Sequence, residues 1–428
     1  MSWLGDVDRR SPSLASHRAT TAHLAAAFPF MASSELTGRG VLIGTDLGGS
    51  PFAYDPFHLY EQGILTNPNM IVIGQIGRGK SAFVKSYLWR QAVFGRRAWV
   101  LDPKGEYGSL ARAWGAAPIA LRPGGDVRLN PLELAGRGDP DGARRQAELL
   151  ATLCSACLGR PLFPAERAAA DVALVDAVMG CRSQATLPAV VEALLDPSEQ
   201  AASSLRMSKS QLAREGRDLA LELRRLVLGD LRGMFDGPTT PSVRLDGPIA
   251  VLDLSALYGS DALGIVITCA AAWLQTTLWN STATAHTIVV VDEAWAVLAD
   301  VAVARWLQAS WKLARALGVA NIAVLHRCSD LTAAGEAGSS QWALAGGLLS
   351  DSETRVLYGQ APGEVGAAAQ AIGLSRTEAQ VVSHLGRGTA LWKVGNRSFL
   401  VRHRISDLER ELVDTDVAMQ AGLGGENL

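Results

Sequence analysis

The chain has 428 residues, enough for one large buried core or two modest ones. Hydrophobic residues make up 48% and charged residues 19%, a globular composition that excludes a disordered or fibrous chain. With 40 Lys and Arg against 42 Asp and Glu, the formal charge of -2 excludes chain-wide attraction to nucleic acid or anionic lipid, so any polyanion site is local.

The opening MSWLGDVDRRSPSLASHR carries acids and bases where a signal peptide needs its apolar stretch, so secretion by that route is not expected. Residues 1–38, rich in Ser, Ala and Thr, read as an extension or linker. GVLIGTDLGGSPFAYDPF, from Gly40, predicts two short strands around a Gly-Gly turn, a small β flap. Met70 to Ile73 is a short apolar strand, Ser81 to Phe94 a helix, and Ala98 to Leu101 a second strand ending in Asp102. Strand, Gly-rich loop, helix and strand make the opening unit of a parallel sheet.

Over residues 139–234 the pattern changes to Ala, Leu, Glu and Arg at helical spacing, punctuated by Pro161, Pro164, Pro188 and Pro197. An all-helical insertion is expected there. Its basic residues, from Arg206 and Lys209 to Arg232, are interleaved with Glu215, Asp218, Glu222 and Asp230, with aromatics nearly absent, and read as a solvated surface rather than a DNA-binding face. Cys154 and Cys157 form a CxxC inside an apolar helix with no second Cys or His pair nearby, so core packing is expected rather than a metal. Apolar strands return at Ile249 to Leu252, Thr287 to Val291 and Asn321 to Leu325. Leu263 to Trp279 is apolar but contains Thr268, Gln275, Thr276 and Thr277, and reads as a buried helix rather than a membrane span. GTALWKVGNRSFLVRHR alternates around Gly395-Asn396 and predicts a hairpin.

GQIGRGKS, from Gly74 to Ser81, matches the phosphate-binding loop pattern between a strand and a helix. Gly74, Gly77 and Gly79 let backbone N–H groups converge on phosphate oxygens, and Gln75, Ile76, Arg78 and Ala82 complete the lining. Lys80 is expected to meet the β- and γ-phosphates and Ser81 to ligate Mg2+, making ATP and Mg2+ the expected cofactors. TIVVVDEAW places Asp292 at the carboxyl end of a parallel strand as the Mg2+-shell acid, with Glu293 as base for the attacking water. An exposed carboxylate pair is the plain alternative. His326, at the end of the next strand, senses the γ-phosphate if that strand lies between the other two; otherwise it is a strand-end histidine. Arg315 sits near a helix end closed by Gly318, where a basic residue is also an ordinary dipole partner. LDPKGEY puts Asp102, Lys104 and Glu106 beyond the second strand, as a turn or as polar support bridging to Glu293 or to substrate.

Through GQIGRGKS, LDPKGEY, VVVDEAW, the stretch Arg315 to His326 and GRGTALWKVGNR, residues 40 to 410 resemble the HerA/FtsK-related motor ATPases. Within them the chain is similar to the VirB-operon ATPases of type IV secretion and conjugation related to TraC and TrbE. The resemblance implies an α/β RecA-like core with a mainly parallel sheet, interrupted by an all-helical subdomain: core over 39–138 and 235–410, insertion over 139–234, tail over 411–428. It implies homo-hexameric rings, conjugation or secretion membrane components as partners, and DNA or protein as transported substrate. The expected location is cytoplasmic or peripheral at the inner face of the cell membrane. The family's arginine before the sensor strand falls on Arg315, as a finger acting on a neighbouring subunit. Two departures stand out: the usual sensor Gln is replaced by His326, and the long N-terminal domain of typical members has no counterpart here. The expected function is an ATP-driven transport motor; a HerA/FtsK-like DNA translocase and a non-hydrolysing nucleotide-binding scaffold are the alternatives.

Overall fold

The computed structural model describes residues 36, 39–133, 142–180, 184–243, 247–260, 262–280, 286–295, 304, 307–308, 311–329 and 346–413. The expected N-terminal extension, apart from Leu36, and the tail beyond residue 413 lie outside the described residues. The described strands are β1 (Val41–Asp46), β2 (Pro51–Tyr54), β3 (Met70–Ile73), β4 (Arg97–Asp102), β5 (Ile119–Ala120), β6 (Ile249–Asp253), β7 (Thr287–Val291), β8 (Val319–Leu325), β9 (Thr354–Tyr358), β10 (Thr389–Val394) and β11 (Arg397–His403). They form one sheet in the order β2-β1-β11-β10-β9-β3-β8-β7-β4-β6-β5. Pairings from β9 through β5 are parallel, and those from β9 through β2 are antiparallel.

Every residue of β3 and β8 is buried. Successive strand side chains point to opposite faces, so continuous apolar runs feed two cores. Met70 and Val72 join the core that holds Phe83, Val84, Tyr87 and Leu88, on the helix after the Gly-rich loop. Ile71 and Ile73 join the other, with Val266, Ile267, Ala270 and Leu274.

The described α-helices are α1 (Pro56–Glu61), α2 (Lys80–Gln91), α3 (Gly108–Ala113), α4 (Gly142–Leu158), α5 (Pro164–Gly180), α6 (Leu187–Leu195), α7 (Glu199–Ser204), α8 (Lys209–Glu215), α9 (Arg217–Val227), α10 (Leu263–Asn280), α11 (Val365–Ile372), α12 (Arg376–Ser383) and α13 (Asp407–Val413). The expected prolines do mark helix starts: Pro164 opens α5, and Pro188 lies in the first turn of α6. Ser208 and Gln211 close a capping box on α8. Arg206, Arg214, Arg217, Arg224 and Arg232 are exposed, as a solvated surface requires. The helical block shares one buried cluster with the sheet, from Leu153, Ala173 and Leu223 through to Trp99 and Leu101. No described helix is long and apolar enough to cross a membrane.

The β flap does not stand apart. β1 pairs with β11, aligning Gly44 with His403, so the two predicted hairpins extend one sheet. A Cβ on Gly44 would lie 1.9 Å from the Arg402 carbonyl oxygen, so only glycine permits this approach. β9 is absent from the sequence expectations, because TRVLY is short and carries Arg355. Here Arg355 turns its guanidinium onto the carbonyls of Leu349, Ser352 and Ile372, leaving the strand free to pair.

Behind this antiparallel half, the His403 ring packs against Phe83 and Tyr358 and takes the Trp392 Nε1–H on its Nε2 at 3.2 Å. The proton of the neutral ring is therefore on Nδ1, which donates to the Tyr358 hydroxyl at 2.5 Å. Burial, assisted by the charge of Arg90, lowers the His403 pKa to about 3. Unfolded, the same ring titrates near pH 6.5. Because the folded value is depressed, stability is full above about pH 6.5 and falls as the pH drops toward 3, by about 1.4 kcal/mol per pH unit. Urea midpoints should reveal a loss of about 2 kcal/mol between pH 7 and 5, and His403→Gln should flatten it. An unchanged pH dependence in the variant would assign the loss to other groups.

Candidate active site

The Gly-rich loop leaves β3 and is held by main-chain bonds before any ligand is considered. The Gly74 N–H donates to Leu325 O at 3.3 Å, Gln75 N–H to Gly359 O at 3.2 Å, and Gly388 N–H to Arg78 O at 3.0 Å. A Cβ on Gly74 would fall 2.4 Å from the Tyr358 Cβ, and Gly79, at φ 102°, occupies the left-handed conformation that starts α2. The helix begins at Lys80, with Ser81 and Ala82 half-buried in its first turn, so its N-terminal N–H groups face the loop. Ile76 is exposed, and Arg78 bonds the Leu385 carbonyl and the Gln75 side chain.

Lys80 lies back within this loop, its Nζ 2.5 Å from Gly74 O and 3.1 Å from Gln75 O. Burial lowers its pKa to about 8, against the pull of Asp292 and Glu293. β7 delivers Asp292 and Glu293 at its carboxyl end, both buried. Asp292 accepts the Glu293 N–H at 2.9 Å. Burial, then the Glu293 charge, raises the Asp292 pKa to about 7. Glu293 adopts φ 52°, a left-handed conformation uncommon for a residue with a side chain.

β8 does lie between β3 and β7, so the condition on His326 is met. The ring bridges the two neighbours, with Nε2 2.8 Å from Glu293 Oε1 and Nδ1 3.1 Å from Lys80 Nζ. Since the ammonium can only donate, Nδ1 accepts and Nε2–H donates to Glu293. Glu293 Oε1 also forms an ion pair with Lys104, and Oε2 accepts from Trp295 Nε1. Burial alone would raise the Glu293 pKa, but hydrogen bonds from His326, Lys104 and Trp295 hold it at about 2.

Of the LDPKGEY acids, Asp102 serves the turn. It accepts the N–H groups of Glu106 and Tyr107 at 3.1 and 2.8 Å. Lys104 makes the bridge to Glu293 that the sequence left open between residues. Trp295 and Arg387, which the sequence did not single out, line the same cavity of about 700 Å3 with Gln75, Gly77, Lys104 and His326. Arg387 lies in the Gly386–Gly388 turn beside the Gly-rich loop, a contact that no local pattern announces.

Arg315 is not brought to this cavity. It is exposed beyond the helical turn at Trp311, with Nη1 3.5 Å from the carbonyl of Thr66, which precedes β3. That is the amino end of the strands, opposite Lys80. Cys154 is buried in α4 with its thiol pKa pushed well up by burial, and no metal-binding cluster occurs among the described residues.

No protein-family model and no curated protein matches the chain. Among solved structures it is similar to VirB4 of Thermoanaerobacter pseudethanolicus, with 22% identity over 88% of this chain and 100% of that one, at a TM-score of 0.73. The plasmid coupling protein TrwB in complex with ADP and Mg2+ shares 16% identity over 86% of this chain and 91% of its own, at a TM-score of 0.59. TrwB with the non-hydrolysable ATP analogue ADPNP gives 15% identity, the same coverages and a TM-score of 0.58. The fold is thus the RecA-like α/β fold of P-loop NTPases, as the resemblance implied.

Proposed function

We propose that this chain is an ATP-hydrolysing motor of a conjugation or type IV secretion machine, coupling Mg-ATP turnover to transport of DNA or protein. The observation that carries the reading is the chain Lys80–His326–Glu293, which links the ends of three adjacent strands beside a cavity walled by the Gly-rich loop, with Asp292 next to Glu293. In this reading residues 39–138 and 235–410 form the ATPase core and 139–234 the helical insertion. The working unit is a homo-hexamer at the cytoplasmic side of the membrane, alongside components of the secretion channel.

The residues present fit a nucleotide with Mg2+. Asp292 is driven to hold a proton by its own burial and by neighbouring carboxylates, and a divalent cation relieves that excess of negative charge. Ser81 and Asp292 would hold the ion, which supplies charge neutralisation for the phosphates. Lys80, the loop N–H groups and the start of α2 bind and orient the phosphates. Glu293 takes the proton of the attacking water, and His326, between Lys80 and Glu293, reports the γ-phosphate to the carboxylate. Arg315 serves the site of a neighbouring subunit. The similarity in fold to TrwB, solved with ADP and Mg2+, supports this choice of ligand.

Phosphate release from ATP by the purified chain tests the reading: turnover is expected with Mg2+ and is expected to stop on chelation. ATP binding without turnover, in the assembled protein and with transport substrate supplied, would leave the scaffold reading instead.

A further inference from the structure

Both oxygens of the Glu293 carboxylate are engaged: Oε1 by Lys104 and His326, Oε2 by Trp295. Three donors leave one of the carboxylate's roughly four lone-pair sites and draw off its charge, so the departure of a donor makes Glu293 both more open and more basic toward a water. The three donors differ in freedom. His326 is a short imidazole that directly follows the buried central strand β8, and the Trp295 indole is tied to the residue two positions away from it on the same turn. Lys104 has the longest reach, an ammonium on a four-carbon stem with several rotatable bonds, beside the Tyr258 ring, 5.7 Å from its centroid.

Its backbone, by contrast, is fixed. Asp102 holds the turn through the Glu106 and Tyr107 N–H groups, and Gly105 takes φ 72° where a Cβ would meet Ser255 at 3.2 Å. Lys104 therefore pivots from a rigid base. The same side chain lines the cavity with Gln75, Gly77 and Arg78 of the Gly-rich loop. On the other side of His326 stands Lys80, so two ammonium groups flank one imidazole and one carboxylate.

We propose that Lys104 is a two-position cation, held by Glu293 in the structure described here and drawn to the terminal phosphate of a bound nucleoside triphosphate, which frees Glu293 for the attacking water. The inference rests on the ATPase reading. A γ-phosphate carries more charge than one carboxylate and accepts from several directions, so it competes for the ammonium where a diphosphate, lacking that group, does not. Lys104 thereby couples the presence of a triphosphate to release of the base.

Discrimination between triphosphate and diphosphate is the readout, measured as affinity for ADPNP and for ADP with Mg2+. Glu293→Gln removes the competing charge, and its preference for ADPNP over ADP should exceed that of the wild type. Adding Lys104→Met should cut that preference about tenfold, through ADPNP alone, with ADP affinity within twofold. Lys104→Arg in the same background should keep most of it. Equal changes for both nucleotides, or none, would overturn the proposal, as would loss of the preference in the Arg variant. If melting shows that the Met variant is misfolded, the Arg variant decides alone. Failure of Glu293→Gln itself to bind either nucleotide would sink the ATPase reading instead, a separate outcome.

Discussion

Lys80→Ala and Glu293→Gln should both abolish ATP turnover, but at different steps. Lys80 is the buried ammonium inside the Gly-rich loop, and removing it strips the charge-assisted contacts made from within that loop. Nucleotide affinity and rate should both fall, the rate by about 10² to 10³, as when one preorganised donor is lost. Glu293→Gln keeps the shape of the side chain and can still meet Trp295 only by turning its amide oxygen toward the indole. It removes the base, worth about 10² to 10⁴ in rate, without removing any phosphate contact, so the variant should bind ATP and hold it unhydrolysed. Rapid filtration with labelled ATP separates the two: no retained label with Lys80→Ala, uncleaved ATP with Glu293→Gln. Wild-type hydrolysis by Glu293→Gln would show that another group activates the water.

Arg315→Ala should bind nucleotide almost normally yet turn over about 10³-fold or more slowly, the range reached by arginine fingers supplied in trans. The reasoning is spatial. Arg315 lies near the Thr66 carbonyl at the amino ends of the strands, whereas Lys80 and Glu293 lie at the carboxyl ends. Under the proposed function, a guanidinium on that side does not reach its own cavity and acts on a neighbour's phosphates in a ring of head-to-tail subunits. Specific activity should then climb with protein concentration. Mixing Arg315→Ala with Lys80→Ala is the sharper measurement, because some interfaces in mixed rings pair an intact loop with an intact arginine. Partial recovery is expected. Mixed rings, shown by light scattering, that stay as inactive as their components would return Arg315 to an ordinary helix-end cation.

How much of the site was legible depends on the distance over which each part is specified. The Gly-rich loop is local: Gly79 must turn left-handed and Lys80 must follow at the helix start, although the contact of Gly74 with Tyr358 was not visible. The place of Asp292 and Glu293 was equally readable, since a run of mostly buried β-formers precedes them and sets them at the carboxyl end of a parallel strand. The partners of Glu293 were not. Lys104 and His326 come from different strands, and their approach depends on β7 lying between β4 and β8. LDPKGEY announced a polar turn, but its three charged residues were equivalent until Asp102 took the backbone N–H groups and Lys104 took Glu293.

By itself the sequence determined the short apolar strands, the helix starts at Pro164 and Pro188, the Gly-rich loop between strand and helix, and the acids at the end of β7. Each of these follows from backbone conformations and burial patterns within a few residues. Only the tertiary structure decided that β8 enters between β3 and β7, that the flap joins the C-terminal hairpin through β1 and β11, and that β9 is a strand at all. Strand order is a property of non-local pairing: any of these buried strands offers the same row of N–H and C=O groups, and its neighbours are chosen by how the two cores pack. For the same reason the sequence could suggest Glu293 as a base but not show it held by Lys104, His326 and Trp295.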